Sequence, residues 1–180
     1  ALGSTNSPTI VQGFGQLNAW VNRTIDENLI LNPLDISTPA IRNGGNQTFV
    51  INGTVALVSS TSIQVDNGST MVFSNQVSGS GELIKNQGGT LVLAGSNTFT
   101  GGLSFSAGTV NLANSNALGG SQITMTSTAG GPGLSGSRVT VSGGSIIPGS
   151  KSLSMPSSGN GTVRSALVGG AGTNAWTGPI

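Results

Sequence analysis

The sequence predicts an all-β solenoid, a chain wound into coils whose short strands stack on one another. Short runs in which apolar and polar residues alternate fill the chain from about residue 46 onward, separated by Gly, Asn and Ser. A Gly-Thr or Ser-Thr pair begins several runs at a spacing of roughly 20 residues, which is typical of a solenoid. Only 6% of residues are charged and 30 are Gly, a composition that suits buried strands joined by tight turns.

The composition also excludes several classes of protein. Six basic residues against five acidic ones cannot form the basic stripe of a nucleic-acid-binding protein, so no nucleic-acid partner is expected. The chain contains no Cys, which rules out disulfides and thiolate metal sites. No apolar run reaches the roughly 18 residues of a membrane helix, so no membrane span is expected. The sequence begins at Ala1 and not at Met, which favours a secreted protein after removal of a leader.

The Thr residues that begin the runs set the predicted coil length. They are Thr54, Thr70, Thr90, Thr109 and Thr162, and the first three intervals between them are similar in length. At about 20 residues per coil, residues 46–180 would form about seven coils. Strand alternation predicts outward positions for Thr90, Val92, Thr109 and Asn111. The residues predicted to point inward are Val55, Leu57, Met71, Phe73, Leu91, Leu93, Leu103, Phe105, Val110 and Leu112.

Residues 1–45 differ in composition from the rest of the chain. They are predicted to form an N-terminal cap or an extended arm, followed by the solenoid over residues 46–180. Thr9–Val11 and Asn28–Leu31 favour strands. A short helix is an alternative for part of this segment, with Leu17, Trp20, Val21 and Leu29 along one face.

An open solenoid end exposes unpaired strand edges and part of the core, which promotes association. Two continuations are therefore expected for residues 46–180: further coils of a longer chain, or a neighbouring subunit. In the second case the N-terminal segment would add a strand to its neighbour, and the repeated head-to-tail contact would build a filament. The predicted intersubunit contacts are Ile10, Val11, Phe14, Leu17, Trp20, Trp176 and Ile180.

No catalytic, metal or cofactor-binding residue is predicted. The chain has no His, so its Ser and Thr hydroxyls lack their usual general base, and Lys85 is a weak substitute beside turn residues. Asp66 and Glu82 are separated by nearly one coil and could stack on neighbouring coils, although Asp66 begins a turn. The alternative is a polysaccharide-acting enzyme, which a common groove for Asp26, Asp35, Arg42 and Asp66 would favour. A further alternative is a surface module whose outward Asn and Thr rows bind surface glycans.

The segment 79–120, GSGELIKNQGGTLVLAGSNTFTGGLSFSAGTVNLANSNALGG, resembles the passenger-associated repeat of bacterial autotransporters. The matching features include the GSG start, the GGTLVL and AGTVNL runs, the NTFTGG turn and the final ALG. Phe99 stands where the repeat usually has Tyr, and Gln87 where it commonly has Gly. The resemblance implies a right-handed parallel β-helix exported to the bacterial cell surface or extracellular space. Together with the composition and the open ends, it predicts a non-catalytic structural protein: a stalk or passenger, or a self-assembling filament subunit, for which adhesion is an additional possible role.

Overall fold

The computed structural model describes residues 7–126, 137–154 and 166–180, and every regular element among them is a β-strand. All strand pairs are parallel and join strands of successive coils, so the chain forms a parallel β-solenoid, as predicted. Three long sheets, which we name faces A, B and C, surround one core. The chain visits them in the order A, B, C during its first four coils.

Face A contains β1 (Thr9–Gly13), β4 (Leu29–Pro33), β7 (Val55–Leu57) and β10 (Val77–Gly79). Face B contains β2 (Leu17–Ala19), β5 (Ile41–Asn43), β8 (Thr61–Val65), β11 (Leu83–Asn86), β13 (Leu103–Phe105), β15 (Ile123–Met125) and β18 (Leu153–Ser154). Face C contains β3 (Arg23–Ile25), β6 (Thr48–Ile51), β9 (Thr70–Phe73), β12 (Thr90–Leu93), β14 (Thr109–Leu112), β16 (Arg138–Val141) and β19 (Ala166–Gly169). A separate pair consists of β17 (Ile146–Ile147) and β20 (Ala175–Trp176).

The core follows the predicted alternation. Each of the ten residues predicted to point inward, from Val55 to Leu112, is buried, whereas the four predicted outward residues are half-exposed. Residues in register also repeat in type: Thr90 pairs with Thr70 on one side and with Thr109 on the other, and Leu91 with Met71 and Val110. The predicted strands and core are therefore confirmed in the described residues. The run that begins at Thr162 lies outside them.

The prediction of about seven coils in residues 46–180 is wrong. Face B has five strands in that range, β8 to β18, so this part of the chain forms about five coils. The reason is a change in coil length. Ile63 pairs with Lys85, 22 positions on, and Lys85 with Phe105, 20 positions on, whereas Ile123 pairs with Leu153, 30 positions on.

Residues 9–43 provide β1 to β5, which belong to the same three faces as the later strands. The predicted strands at Thr9–Val11 and Asn28–Leu31 are confirmed. The helix alternative is wrong, because Leu17 lies in β2 and Leu29 in β4. The strand register therefore runs across residue 46 without a break, and a capping role for the first coil stays a prediction.

Candidate adhesive surface

On the outward side of the first three coils, an exposed tryptophan lies against a glycine. Trp20 follows β2 and lies beside Gly44, because Ala19 pairs with Asn43. A Cβ atom at position 44 would lie 2.6 Å from Cζ3 of Trp20 and 2.8 Å from Oδ2 of Asp66. Only glycine leaves room for the indole ring here. Trp20 nevertheless remains 54% exposed, so the ring contacts the next coil but is not buried by it.

An ion pair lies against the same ring. Cζ of Arg42 is 4.7 Å from the ring centroid of Trp20, within the range of a cation–π contact. Nη2 of Arg42 donates to Oδ2 of Asp66 at 2.9 Å, and Nε2 of Gln64 donates to Oδ1 of Asp66 at 2.7 Å. Arg42, Asp66 and Gln64 therefore hold one another in a fixed arrangement. We call Trp20, Arg42, Gly44, Gln64 and Asp66 the Trp20 platform.

A column of planar polar side chains runs along face B beside the platform. Asn18 pairs with Arg42, Arg42 with Gln64, and Gln64 with Asn86, so one outward side chain from each of four coils lies in this column. Nδ2 of Asn86 donates to Oγ of Ser62 at 2.8 Å. Neighbouring parallel strands are about 4.8 Å apart, so the column presents amide groups at a regular spacing.

The predicted intersubunit residues do not share one environment. Ile10, Phe14, Trp20 and Ile180 are exposed. Leu17 and Trp176 are partly buried against the core, and Nε1 of Trp176 donates to the carbonyl oxygen of Gly178 at 3.0 Å. Val11 is buried in the core, so it is not on the surface of this structure.

The carboxylates do not form a catalytic pair in the structure. Asp66 is bound to Arg42, whereas Glu82 precedes β11 at a different corner, and its carbonyl oxygen accepts from the backbone N–H of Thr61. Asp26 accepts from Nδ2 of Asn52 at 2.8 Å. Of the four residues of the proposed groove, only Arg42 and Asp66 are hydrogen-bonded to each other.

Two further carboxylates are held by local hydrogen bonds. Asp35 accepts from the hydroxyl and backbone N–H of Ser37 and from the N–H of Thr38, and these bonds lower the pKa of Asp35 below its usual value, with the Ser37 hydroxyl first. Glu27 is buried and accepts from Oγ1 of Thr9 at 2.7 Å. Both contacts fix the chain locally, which is a structural role.

Lys85 is the unexpected residue of the core. It points inward from β11 between Ile63 and Phe105, and it is fully buried. Its Nζ donates to the carbonyl oxygens of Gln87 at 2.6 Å and Ala107 at 2.8 Å. Burial lowers the pKa of Lys85 to about 7. Its Nζ thus bonds carbonyl oxygens and not a serine hydroxyl.

Other kinds of site are not found in the described residues. No group of three or more carboxylate, His or Cys side chains within 7–126, 137–154 and 166–180 could hold a metal ion. Over the same ranges, no helix has the length and apolar character needed to cross a membrane.

Comparison with known proteins agrees with the solenoid. A family model described as the Passenger-associated-transport-repeat matches residues 83–112, which lie in β11 to β14. The predicted resemblance to this repeat is confirmed. The chain is also 35% identical over 158 residues to the Adhesin BmaC autotransporter of Brucella suis biovar 1 (strain 1330). That match covers 86% of this chain and 4% of the relative, so the chain is similar to a small part of a much longer protein.

No solved structure matches this chain. The two sequence matches are thus to a passenger repeat and to a small part of an autotransporter that is named an adhesin.

Sequence reasoning named three members of the Trp20 platform, Trp20, Arg42 and Asp66, but did not bring them together, and it did not single out Gly44 or Gln64. Trp20 was predicted to contact a neighbouring subunit, and Arg42 and Asp66 were considered as part of a catalytic groove. Their assembly depends on register: Ala19 pairs with Asn43 and Asn43 with Val65, so positions 20, 44 and 66 follow one another across three coils. Both of these steps are longer than the coil length that the sequence predicts, which is why the alignment was missed.

Proposed function

We propose that this chain is a non-catalytic segment of a bacterial surface passenger that serves as a rigid stalk and presents an adhesive outer face. The observation that carries this proposal is the unbroken parallel register. Seven strands follow one another in face B and seven in face C, all around one apolar core.

The geometry explains how such a segment would work mechanically. In a parallel sheet the backbone hydrogen bonds run from strand to strand, here along the axis of the coil stack. Stretching the stack would therefore have to break many such bonds at once. Seven strands at about 4.8 Å span roughly 30 Å, so each coil adds length in a fixed direction.

The comparisons support a segment of a longer passenger. The relative is named an adhesin autotransporter, and the matched region covers only 4% of its length. A stalk needs many similar coils of one chain, and the hydrogen-bonded register seen here stacks each coil on the next.

Small-angle X-ray scattering tests the stalk. We expect the chain to be a monomer whose maximum dimension stays constant over about a hundredfold range of concentration. Growth of that dimension with concentration would contradict the stalk and favour assembly.

The adhesive role is tested with beads coated with the chain. We expect these beads to bind host cells or extracellular matrix better than beads coated with the Phe73→Ala variant after heat unfolding. Equal binding would contradict the adhesive part alone.

A second candidate is a filament subunit, in which copies stack head to tail. The observation in its favour is apolar exposure in the first coils, where Ile10, Phe14 and Leu34 face solvent. A cavity of about 630 Å³ lies at the first coil and is lined by Leu17, Ile25 and Phe49, among others. Such a cavity could receive an apolar side chain from a neighbouring copy, and Ile180 is exposed at the other end of the chain.

The filament is tested by a surface substitution. Deleting residues 1–20 would remove the buried residues Val11 and Ala19 as well as the surface, so its result would be ambiguous. If concentration-dependent growth is seen, Phe14→Ser should abolish it, because Phe14 is exposed. Val168→Ser, at an exposed position of face C, is the matched control and should leave growth unchanged.

A further inference from the structure

We propose that the Trp20 platform is a carbohydrate-binding site that takes a neutral pyranose unit of a glycan. The proposal rests on the adhesive part of the proposed function and adds the site and the chemical class of ligand.

The platform is a preorganised aromatic surface. The Trp20 ring contacts Gly44 and the guanidinium group of Arg42, and the residue as a whole stays 54% exposed. Because Asp66 fixes Arg42 at 2.9 Å, the ring has a rigid support on one side. A fixed ring loses little conformational freedom when a ligand stacks on it, which favours binding.

The arrangement also has features that stability alone does not require. Nε of Arg42 is buried and has no hydrogen-bond acceptor among the described residues. A buried donor without an acceptor lowers stability. The guanidinium group of Arg42 stacks against the Trp20 ring and pairs with Asp66, although its Nε then lacks a hydrogen bond. Most large apolar side chains of this fold lie in the core, whereas this tryptophan lies outside with a glycine opposite it.

The charge of the platform favours a neutral ligand. Arg42 and Asp66 neutralise each other, and the other members of the column are the uncharged amides Asn18, Gln64 and Asn86. Primary amides offer donors and an acceptor in one plane, and the carboxylate of Asp66 offers acceptors. Vicinal hydroxyl groups of a sugar both donate and accept, so they match this rim, while the C–H face of a pyranose matches an exposed indole ring.

A peptide fits the platform less well. Apolar anchors of peptides usually enter a desolvated pocket, whereas Trp20, although it is one of the residues that line the cavity of about 630 Å³ at the first coil, is itself 54% exposed. Strand addition would use a sheet edge, whereas the platform and its column lie on the outward side of face B. The site therefore favours a ligand that stacks on a plane and hydrogen-bonds at its perimeter.

The test uses the fluorescence of Trp20. The chain has two tryptophans, so Trp176→Phe leaves Trp20 as the single reporter. We expect at least one of maltohexaose, cellohexaose, chitohexaose and mannohexaose to change its emission saturably, with half-saturation between about 0.1 and about 10 mM. No saturable change with any of the four at about 10 mM would overturn the proposal.

Two variants locate the binding. Trp20→Ala removes the ring, and Gly44→Ala keeps the ring but displaces it, because the new Cβ would lie 2.6 Å from Cζ3. Followed by NMR titration of backbone amides, both should weaken binding at least about tenfold. Gly169→Ala is the matched control, since nothing lies within 4 Å of its Cβ position, and it should bind normally. Circular dichroism checks that each variant is folded.

Two further outcomes would overturn the carbohydrate site. Binding that persists in both Trp20→Ala and Gly44→Ala would overturn the site. Peptides selected from a random display library that require Trp20, with no response to the four oligosaccharides, would assign the platform to a peptide. The bead test of adhesion is independent of these results, so beads that still bind while the carbohydrate site fails would leave the proposed function standing and overturn this site alone.

Discussion

The central coils, residues 55–112, and the C-terminal coils, residues 123–176, use the same faces with different spacing. In the central coils, register partners are 19 to 22 positions apart, as in Leu91 with Val110 and Ile63 with Lys85. In the C-terminal coils they are 28 to 30 apart, as in Val139 with Leu167 and Ile123 with Leu153.

The corners differ accordingly. In the central coils a Cβ added at Gly79, Gly81 or Gly95 would lie 2.1 Å from a backbone oxygen of the preceding coil. In the C-terminal coils the contacts are mixed, because nothing lies within 4 Å of such an atom at Gly169, whereas at Gly170 it would lie 2.8 Å from the side chain of Ser142. Glycine thus lets successive coils touch at the corners in both regions, and in the longer coils some corners are open as well. The comparison teaches that the repeat motif encodes close contact at the corners as well as a strand pattern.

The largest expected effect is the loss of a core side chain from the central coils. Phe73 of β9 is fully buried between Ile51 and Leu93 of the neighbouring coils, so Phe73→Ala should lower the free energy of unfolding by about 3–5 kcal/mol. Ile146 of β17 in the C-terminal coils is 53% exposed, and Ile146→Ala should change the free energy of unfolding by less than about 0.5 kcal/mol. Urea unfolding followed by circular dichroism measures both. Similar losses would show that Phe73 contributes no more to stability than an exposed side chain.

The next effect is a pH dependence that originates in the central coils. Because burial lowers the pKa of Lys85 to about 7 from 10.5, the unfolded chain binds one more proton than the folded chain between these values. Stability should therefore rise from about pH 7 to about pH 10.5, by on the order of 5 kcal/mol, and this contribution should be absent well below pH 7.

Two lysine substitutions check this origin. Lys85→Met removes the titrating group, and urea unfolding at several pH values should then show no rise over this range. Lys151→Met, at a half-exposed lysine of the C-terminal coils, is the control and should retain the rise. A rise that survives in Lys85→Met would assign the pH dependence to another group.

The sequence predicted the central coils better than the rest for a physical reason. Alternation and the regular recurrence of the Thr-led runs can be read locally, so Leu91, Leu93 and Val92 could be assigned to the correct sides without knowing the fold. Lys85 was not expected in the core, because its burial depends on the carbonyl oxygens of Gln87 and Ala107, the latter from the next coil.

The features that the sequence did not predict depend on coil length. The count of seven coils assumed that every coil has the same length, and the later coils are longer. The Trp20 platform likewise requires positions 20, 44 and 66 to be aligned, which no local pattern reveals. Variation in coil length leaves no trace in the alternation of a single strand, so contacts between coils remain hidden wherever the repeat is irregular.

The smallest of these effects tests the glycine contacts directly. The backbone of Gly95 is not in the left-handed region, so Gly95→Ala adds only a methyl group, which would lie 2.1 Å from the carbonyl oxygen of Asn75. Because that oxygen belongs to the backbone, the two coils must separate locally. We therefore expect the free energy of unfolding to fall by about 2 kcal/mol. Gly169→Ala adds the same group in open space and should change stability by less than about 0.5 kcal/mol. Thermal and urea unfolding of the two variants give the comparison, and equal losses would show that corner glycines contribute only through chain flexibility.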